Sequence, residues 1–436
     1  MALTGRTALL AALGALVVGL LLPSAAGLAA VTGTVLLAVV VDLVLAAPVR
    51  SLRLARGGDT NVRLGEPASV ELTVTNPSGR PLRARIRDAW APSAWRPGTE
   101  LAASRHSLRI PGHERRRVTT VLTPTRRGDH HAHKVTVRSL GPLGLAGRQG
   151  SHLVPWTVRA LPPFNSRKHL PSRLARLREL DGRTSVLTRG QGTEFDSLRE
   201  YLAGDDVRSI DWRASARRHT VAVRTWRPER DRHILIVLDT GRTSAGRVGD
   251  APRLDASLDA ALLLTALATK AGDRVDLLAH DLRKRVSVAG RSPSEILPAF
   301  TSAMAVMEPA LYETDMRSMV ATALKMAPHR SLIVLLTGLD AAPVEDGLLP
   351  LLPMLTKRHE VVLASVSDPR LDELAAGRGT VEAVYGAAAA EQTRADRRRT
   401  ADRLTRQGIT VLDAPPASVA PALADAYLAL KAAGRL

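Results

Sequence analysis

The feature that most restricts the fold is a set of unbroken apolar runs in the second half of the chain. Residues 233–239 read HILIVLD, and 274–279, 332–336, 361–366 and 409–412 repeat the pattern at intervals. A strand with one wet face alternates apolar and polar residues, so an unbroken apolar strand is covered on both faces. The intervals carry helical patterns at 254–270, 293–307, 315–326, 347–358, 389–407 and 418–431. Strands alternating with helices predict a doubly wound, mostly parallel α/β sheet over 233–436. Ligands of such sheets gather at the carboxyl ends of the strands, which directs attention to Asp239.

The N-terminal end follows different rules. Residues 7–26 and 27–47 are two apolar stretches, each about long enough to cross a hydrocarbon core of roughly 30 Å. Pro23 and Gly27 bracket an uncharged turn, so the pair reads as a transmembrane helical hairpin over 1–50. Arg6 precedes it, and Arg50, Arg53 and Arg56 follow. Positive residues stay cytoplasmic, so the expectation is a multi-pass anchor in the cell membrane with its soluble domains in the cytoplasm. The rival reading is a signal peptide ending near Ala25 or Ala30. Asp42 lies near the inner end of the second stretch, where a structural, snorkelling role is expected. Short alternating segments and an Asn76–Gly79 turn predict a small β-sandwich over 51–162. His130, His131 and His133 read as part of a solvated turn rather than a metal site.

Between these parts, 163–232 reads as a linker helix, with Leu170, Leu174, Leu177 and Leu180 on one face, followed by a dense polar stretch. That stretch, 190–217, sets Glu194, Asp196, Glu200, Asp205, Asp206 and Asp211 against Arg199, Arg208, Arg213 and Arg217 around Phe195, Tyr201 and Trp212. Thr193 reads as a helix N-cap, with Leu198, Tyr201 and Leu202 on one helical face and Gly204 past the end. Asp211 reads as the cap of a second short helix, and Val221, Val223 and Thr225 alternate as a strand. Arg199, Asp205, Asp206, Arg208, Asp211, Trp212 and Arg217 are the candidate partner-binding residues. Asp211 and Trp212 are expected to be mainly structural, and Arg199, Asp206 and Arg208 available to a partner. The other reading is a solvated surface with weak ion pairs.

GTEFDSLREYLAGDDVRSIDWRASAR resembles the signature of the bacterial domain of unknown function 58 family. The Arg126-Arg127-Gly128 turn and GPLGL at 141–145 also resemble that family, which more often has Asp at the position of Gly141. With the apolar pair, the resemblance covers nearly the whole chain. DTGRTS, beginning at Asp239, resembles the D-x-S-x-S metal motif of von Willebrand factor A domains. In that family two hydroxyls and an acid hold a divalent cation, a Thr from another loop joins them, and a partner's carboxylate completes the shell. Asp239 and Thr243 match, and Thr314 in YETD matches the family's Thr. Gly241 replaces a Ser, and Gly338 in LLTGLD stands where the family usually has Asp, with Asp340 two residues later. Asp239, Thr243, Thr314 and Asp340 are therefore candidates for a weak Mg²⁺ site. The alternative is that Asp239 only caps the following turn. The resemblance implies a von Willebrand factor A-like domain in a membrane-anchored protein-interaction module, working with a MoxR-type AAA+ ATPase to assemble or activate other proteins.

Composition trims the other classes. With no cysteine there is no disulfide, thiol catalysis or Cys-ligated zinc. No G-x-S-x-G, H-E-x-x-H, G-x-x-x-x-G-K-[ST] or G-x-G-x-x-G occurs, so no catalytic residue is named and the chain is not expected to be an enzyme. An enzyme of unknown reaction stays as an alternative, beside a nucleic-acid or anionic-surface binder using the net charge of +19. Scarce aromatics and the lack of a long basic run argue against nucleic acid.

Overall fold

The computed structural model describes residues 1–187, 194–202, 205–218, 220–227 and 232–436. It divides into two units, Met1–Pro163 and Phe164–Leu436.

In the first unit a two-residue strand, β1 (Ala2–Leu3), leads into helix α1 (Gly5–Leu21), and a short turn at Pro23 leads into α2 (Ala25–Leu45). Ser24 caps α2 by accepting the Gly27 N–H at 3.0 Å. The helices lie close enough that a Cβ on Gly14 would come within 2.7 Å of Val31 Cγ1. Among the described residues, α2 is the helix long and apolar enough to cross a membrane. Its 21 residues span about 31 Å at 1.5 Å each.

Nine further strands follow: β2 (Arg53–Gly58), β3 (Asn61–Arg63), β4 (Ala68–Thr75), β5 (Leu82–Trp90), β6 (Arg105–Ile110), β7 (Arg115–Leu122), β8 (Gly128–Leu140), β9 (Ala146–Leu153) and β10 (Thr157–Leu161), with a single-turn helix α3 (Glu100–Ala103) before β6. β2, β4 and β7 form one sheet, and the others join through β8 into a second. Period-2 alternation decides the inner faces: Leu72 and Val74 of one sheet meet Leu82, Ile86, Val135 and Val137 of the other. A buried strut divides this core, in which the Asp88 carboxylate accepts from Arg56, from Trp90 Nε1 at 3.1 Å and from the Thr120 hydroxyl at 3.0 Å. The histidine cluster lies on strand β8, not in a turn. His130 is buried, with Nδ1 3.3 Å from Ser93 Oγ and Nε2 2.8 Å from the Arg126 carbonyl.

Asp42 departs from its expected role. It is fully buried rather than snorkelling, and its carboxylate accepts the N–H groups of Leu143, Leu145 and Ala146 at 2.7–2.8 Å. The start of α1 meets the same loop, where Thr4 and Thr7 donate to the carbonyls of Gly144 and Leu145. Gly141 is obligatory here, because a Cβ would fall 2.1 Å from Asp42 Oδ1. Both outer ends of the helix pair thus converge on the β8–β9 loop.

The second unit begins with α4 (Leu170–Leu187). A two-stranded ribbon follows, β11 (Glu194–Glu200) and β12 (Ala222–Arg227), with α5 (Trp212–Arg218) between its strands. Its main sheet contains β13 (His233–Asp239), β16 (Arg274–His280), β17 (Lys284–Val288), β18 (Leu332–Leu336), β19 (Glu360–Val366) and β20 (Thr410–Ala414); β14 (Arg247–Val248) and β15 (Ala251–Pro252) form a separate small pair. The order is β17-β16-β13-β18-β19-β20, parallel except for the antiparallel edge strand β17. The sequence did not announce β17. Its two lysine and arginine residues suit an edge with one exposed row.

Helices cover both faces. On one face α7 (Arg253–Lys270), α8 (Ile296–Ala305) and α13 (Pro416–Ala432) pack against Ile234, Ile236 and Leu238. On the other face α9 (Met316–Met326), α10 (Leu352–Thr356) and α12 (Val381–Arg406) pack against Leu235 and Val237. α6 (Arg242–Ala245) and α11 (Arg370–Ala375) are short connectors. The helix expected over 347–358 is a chain of π, 3₁₀ and α turns through Pro343, Pro350 and Pro353, each of which removes an N–H from the ladder.

Candidate functional site

β13 is central, and the connections after β13 and β18 leave to opposite faces through α7 and α10 respectively. The crevice between their carboxyl ends is therefore a topological switch point, the general ligand position of open α/β sheets. Asp239 closes β13 there and is 1% exposed.

Asp239 sits in a cradle of hydroxyls. One carboxylate oxygen accepts the Gly241 N–H at 2.8 Å and the Thr314 hydroxyl. The other accepts the hydroxyls of Thr243 at 2.8 Å and Thr337 at 2.6 Å. The Ser244 hydroxyl donates to the Asp239 carbonyl at 2.6 Å. The loops that deliver these groups are stitched together: Arg242 N donates to the Tyr312 carbonyl at 2.8 Å, and Ala310 N to the Thr240 carbonyl at 2.7 Å. Tyr312 donates its hydroxyl to buried Asp281 at 3.2 Å, which fixes the loop carrying Thr314.

The fold thus brings Asp239, Thr243 and Thr314 together. Asp340 lies beside them, with Oδ2 within 3.1 Å of where a Cβ on Gly338 would be and Thr243 Cβ within 3.2 Å of the same point. Its carboxylate is shared with Arg253 at 3.5 Å and Arg397 at 3.9 Å. Arg397 is itself buried and tied to Asp413 and to the Ser365 hydroxyl at 2.9 Å, at the ends of β20 and β19. Gly241 does more than lack a hydroxyl. A Cβ there would be 2.2 Å from Thr314 Oγ1, so the threonine hydroxyl occupies the space a serine would need.

Thr337, Arg253 and Arg397 were not singled out from sequence. Thr337 could have been found, since it directly follows the last apolar residue of β18. Arg397 could not be told from Arg398 and Arg399 beside it.

The chemistry of this donor set is compatible with a cation. Each threonine hydroxyl spends its one proton on Asp239 and keeps its oxygen lone pairs. Those oxygens, with Asp340, are hard ligands of the kind Mg²⁺ takes. The arginines beside Asp340 oppose that charge. Among the described residues, no cluster of three or more His, Cys, Asp or Glu side chains forms a metal site.

The signature stretch is built differently from its expected form. Residues 194–200 form strand β11, antiparallel to β12, instead of a helix. The alternating run after Val221 is one strand needing a partner for its N–H and C=O groups, and 194–200 supplies it. Thr193 and Gly204 lie outside the described residues. Asp205 receives both terminal nitrogens of Arg199, one at 2.7 Å, and the Leu202 N–H at 2.9 Å. The Arg199 pairing, then that N–H, hold the Asp205 carboxyl below the usual carboxylate range.

Asp206 caps a 3₁₀ turn through Arg208 N at 3.0 Å. Asp211 caps α5 as expected, accepting from Arg213 N and Ala214 N at 3.1 and 3.0 Å and from Arg224 at 2.8 Å. The Ala214 N–H, followed by Arg224, pulls its carboxyl down. The expected roles of two residues are exchanged: Arg199 is engaged by Asp205, and Trp212 is 70% exposed. Arg208 and Arg217 are exposed as well.

Residues 197–410 match the family model described as "Protein of unknown function DUF58". This segment of the chain is similar to that family. It contains the ribbon from Ser197 onward and the whole Asp239 cradle. The uncharacterized protein YeaD of Bacillus subtilis is 25% identical over 194 residues, covering 44% of this chain and 48% of that protein. The uncharacterized protein Rv1480 of Mycobacterium tuberculosis is 26% identical over 187 residues, covering 42% of this chain and 58% of that one. The chain thus spans about half the length of the curated relatives it matches. Among solved structures, proximal thread matrix protein 1 from the mussel byssus is 13% identical over 47% of each chain, with a TM-score of 0.26. The CARDB domain of the PF1109 protein of Pyrococcus furiosus is 14% identical over 25% of this chain and 87% of that one, with a TM-score of 0.19. At such scores neither likeness carries an argument about this fold.

Proposed function

We propose that this chain is a membrane-anchored protein-interaction module whose C-terminal α/β domain is von Willebrand factor A-like. In this reading α1 and α2 are a membrane-crossing hairpin, the remainder is cytoplasmic, and the module works with a MoxR-type AAA+ ATPase on client proteins. The observation that carries the reading is the Asp239 cradle at the switch point: a buried carboxylate whose satisfying donors are mostly rotatable hydroxyls.

Thr243 and Thr314 are the residues that would hold a Mg²⁺ ion, with Asp239 fixing their orientation and Asp340 nearby. The ion would supply a positive charge able to take a carboxylate from a partner. Arg253 and Arg397 weaken that affinity by sharing Asp340. Leu282, Val306, Leu311 and Tyr312, in the segments that follow β16 and α8, are exposed apolar area of the kind interfaces bury. Exposed Trp212, Arg208 and Arg217 are a second docking element, since interface energy concentrates in Trp, Tyr and Arg.

The test is capture of the purified MoxR-type ATPase by the full chain in detergent, with Mg²⁺ or with chelator, for wild type, Asp239→Asn and Trp212→Ala. The expected result is binding that chelator and Asp239→Asn reduce at least tenfold. Equal capture in every arm, or none by wild type, contradicts the proposal.

A further inference from the structure

The first unit carries 21 Lys and Arg against 8 Asp and Glu, a net +13 of the chain's +19. Six of these 21 basic residues are gathered on one sheet face. In β5, Leu82, Ala84 and Ile86 point into the core, so Arg83, Arg85 and Arg87 point out. β6 adds Arg105 and Arg109, and β8 adds Arg138.

The register places like charges directly opposite one another. Arg83 faces Arg109 and Arg87 faces Arg105 across the β5–β6 pair, and Arg85 faces Arg138 across the β5–β8 pair. Opposed like charges on a sheet are destabilising. Little on this face offsets them. Residues 83–87, 105–109, 134–140 and 147–153 contain no Asp or Glu, and among the described residues the acidic partner on this face is Glu100, 3.8 Å from Arg87. On the other sheet, by contrast, Arg116 and Arg117 have Glu114 at 3.1 Å and Glu71 at 2.8 Å.

The position of the face suggests what covers it. Arg83 donates to the Pro142 carbonyl at 2.9 Å, in the loop that seats Asp42. Arg80, just before β5, donates to the Val44 carbonyl near the end of α2, and Arg148 to the Leu43 carbonyl at 2.9 Å. The arginine rows therefore begin where the apolar helix ends. A helix that crosses a bilayer ends at the headgroups.

We propose that the outer face of β5, β6 and β8 docks on anionic phospholipid headgroups of the membrane that α2 enters. This rests on the reading of α2 as a membrane span. Guanidinium groups bind phosphates in bidentate fashion, and the headgroup charge relieves the repulsion among the opposed arginines. Each basic residue near an anionic surface strengthens attachment about fivefold.

The test uses the full chain reconstituted into phosphatidylcholine vesicles, with or without phosphatidylglycerol. Carbonate-resistant flotation confirms insertion, and arginine labelling by phenylglyoxal, located by mass spectrometry, reads the face. The expected result is a several-fold drop in labelling of Arg85, Arg105 and Arg109 when phosphatidylglycerol is present, reversed by high salt. The chain should also melt higher in the anionic vesicles. An Arg85→Gln, Arg105→Gln, Arg109→Gln variant should lose that lipid-dependent shift and melt higher than wild type in neutral vesicles. Insertion with equal labelling and melting in both lipids overturns this proposal alone. Failure to insert overturns the membrane reading as well. Protection by a DNA duplex in detergent but not by anionic vesicles shows that the face serves nucleic acid, and overturns it too.

Discussion

Asp42 and Asp239 are both buried carboxylates at the carboxyl end of an apolar element, yet they are held by different kinds of donor. Asp42 ends its helix against three backbone N–H groups of one loop. Asp239 ends its strand against one N–H and three threonine hydroxyls from three separate segments. A backbone N–H cannot turn away when its acceptor changes. A hydroxyl can rotate, and its oxygen accepts as well as donates. The first site is a fixed seat for the helix pair. The second is held mostly by groups that can reorient.

The comparison is broken or sharpened first by Asp42→Ala. It leaves three N–H groups, two of them buried, without an acceptor and should cost about 3–5 kcal/mol, read by thermal unfolding of the full chain in detergent. Asp239→Ala should cost less, about 1–3 kcal/mol, because the hydroxyls can find other acceptors. Equal losses for the two substitutions would remove the distinction.

Gly241→Ala comes next. Its methyl group must displace Thr314 Oγ1, 2.2 Å away, at about 1–3 kcal/mol. Removing Thr314's hydroxyl with Gly241→Ala in a Thr314→Ala background should recover part of that loss.

Thr337→Val should cost about 1 kcal/mol in the same melting assay, one hydrogen bond to a carboxylate that keeps three others.

The smallest effect concerns pH. Asp205 and Asp211 both have carboxyls held below their ordinary value, the first mainly by Arg199 and the second mainly by the Ala214 N–H. A depressed folded-state value means their stabilisation is complete above the ordinary carboxylate range and is lost as pH falls through the lowered value. Carboxyl NMR titration should place both below a model aspartate, and loss of β11–β12 order should follow only in strong acid. A titration at or above the ordinary value would contradict the pairings.

Much of the α/β half was legible because its signal is redundant. Apolar runs such as HILIVLD have few alternatives once helices flank them. Asp239 was likewise legible, because strand ends point to crevices, while Thr243 and Thr314 were named only through the resemblance of DTGRTS and YETD to the von Willebrand factor A motif. What was missed depended on distant chain. β11 read as a helix because Leu198, Tyr201 and Leu202 fit i, i+3, i+4, and only pairing with β12 decides otherwise. Edge strand β17 has too few buried positions to register as apolar. Asp42 could not be seen to be buried, because its partners lie about a hundred residues away. Gly241 looked like a lost ligand, whereas Thr314 fills its place.

The claim that the Asp239 cradle is a rearrangeable cation site is tested most directly by titrating Mg²⁺ into the full chain by calorimetry, for wild type, Asp239→Asn and Thr314→Val. The account predicts weak saturable binding in wild type, lost in both variants while their melting temperatures stay within a few degrees of it. Absence of binding in wild type, or binding of the same strength surviving both substitutions, would contradict it.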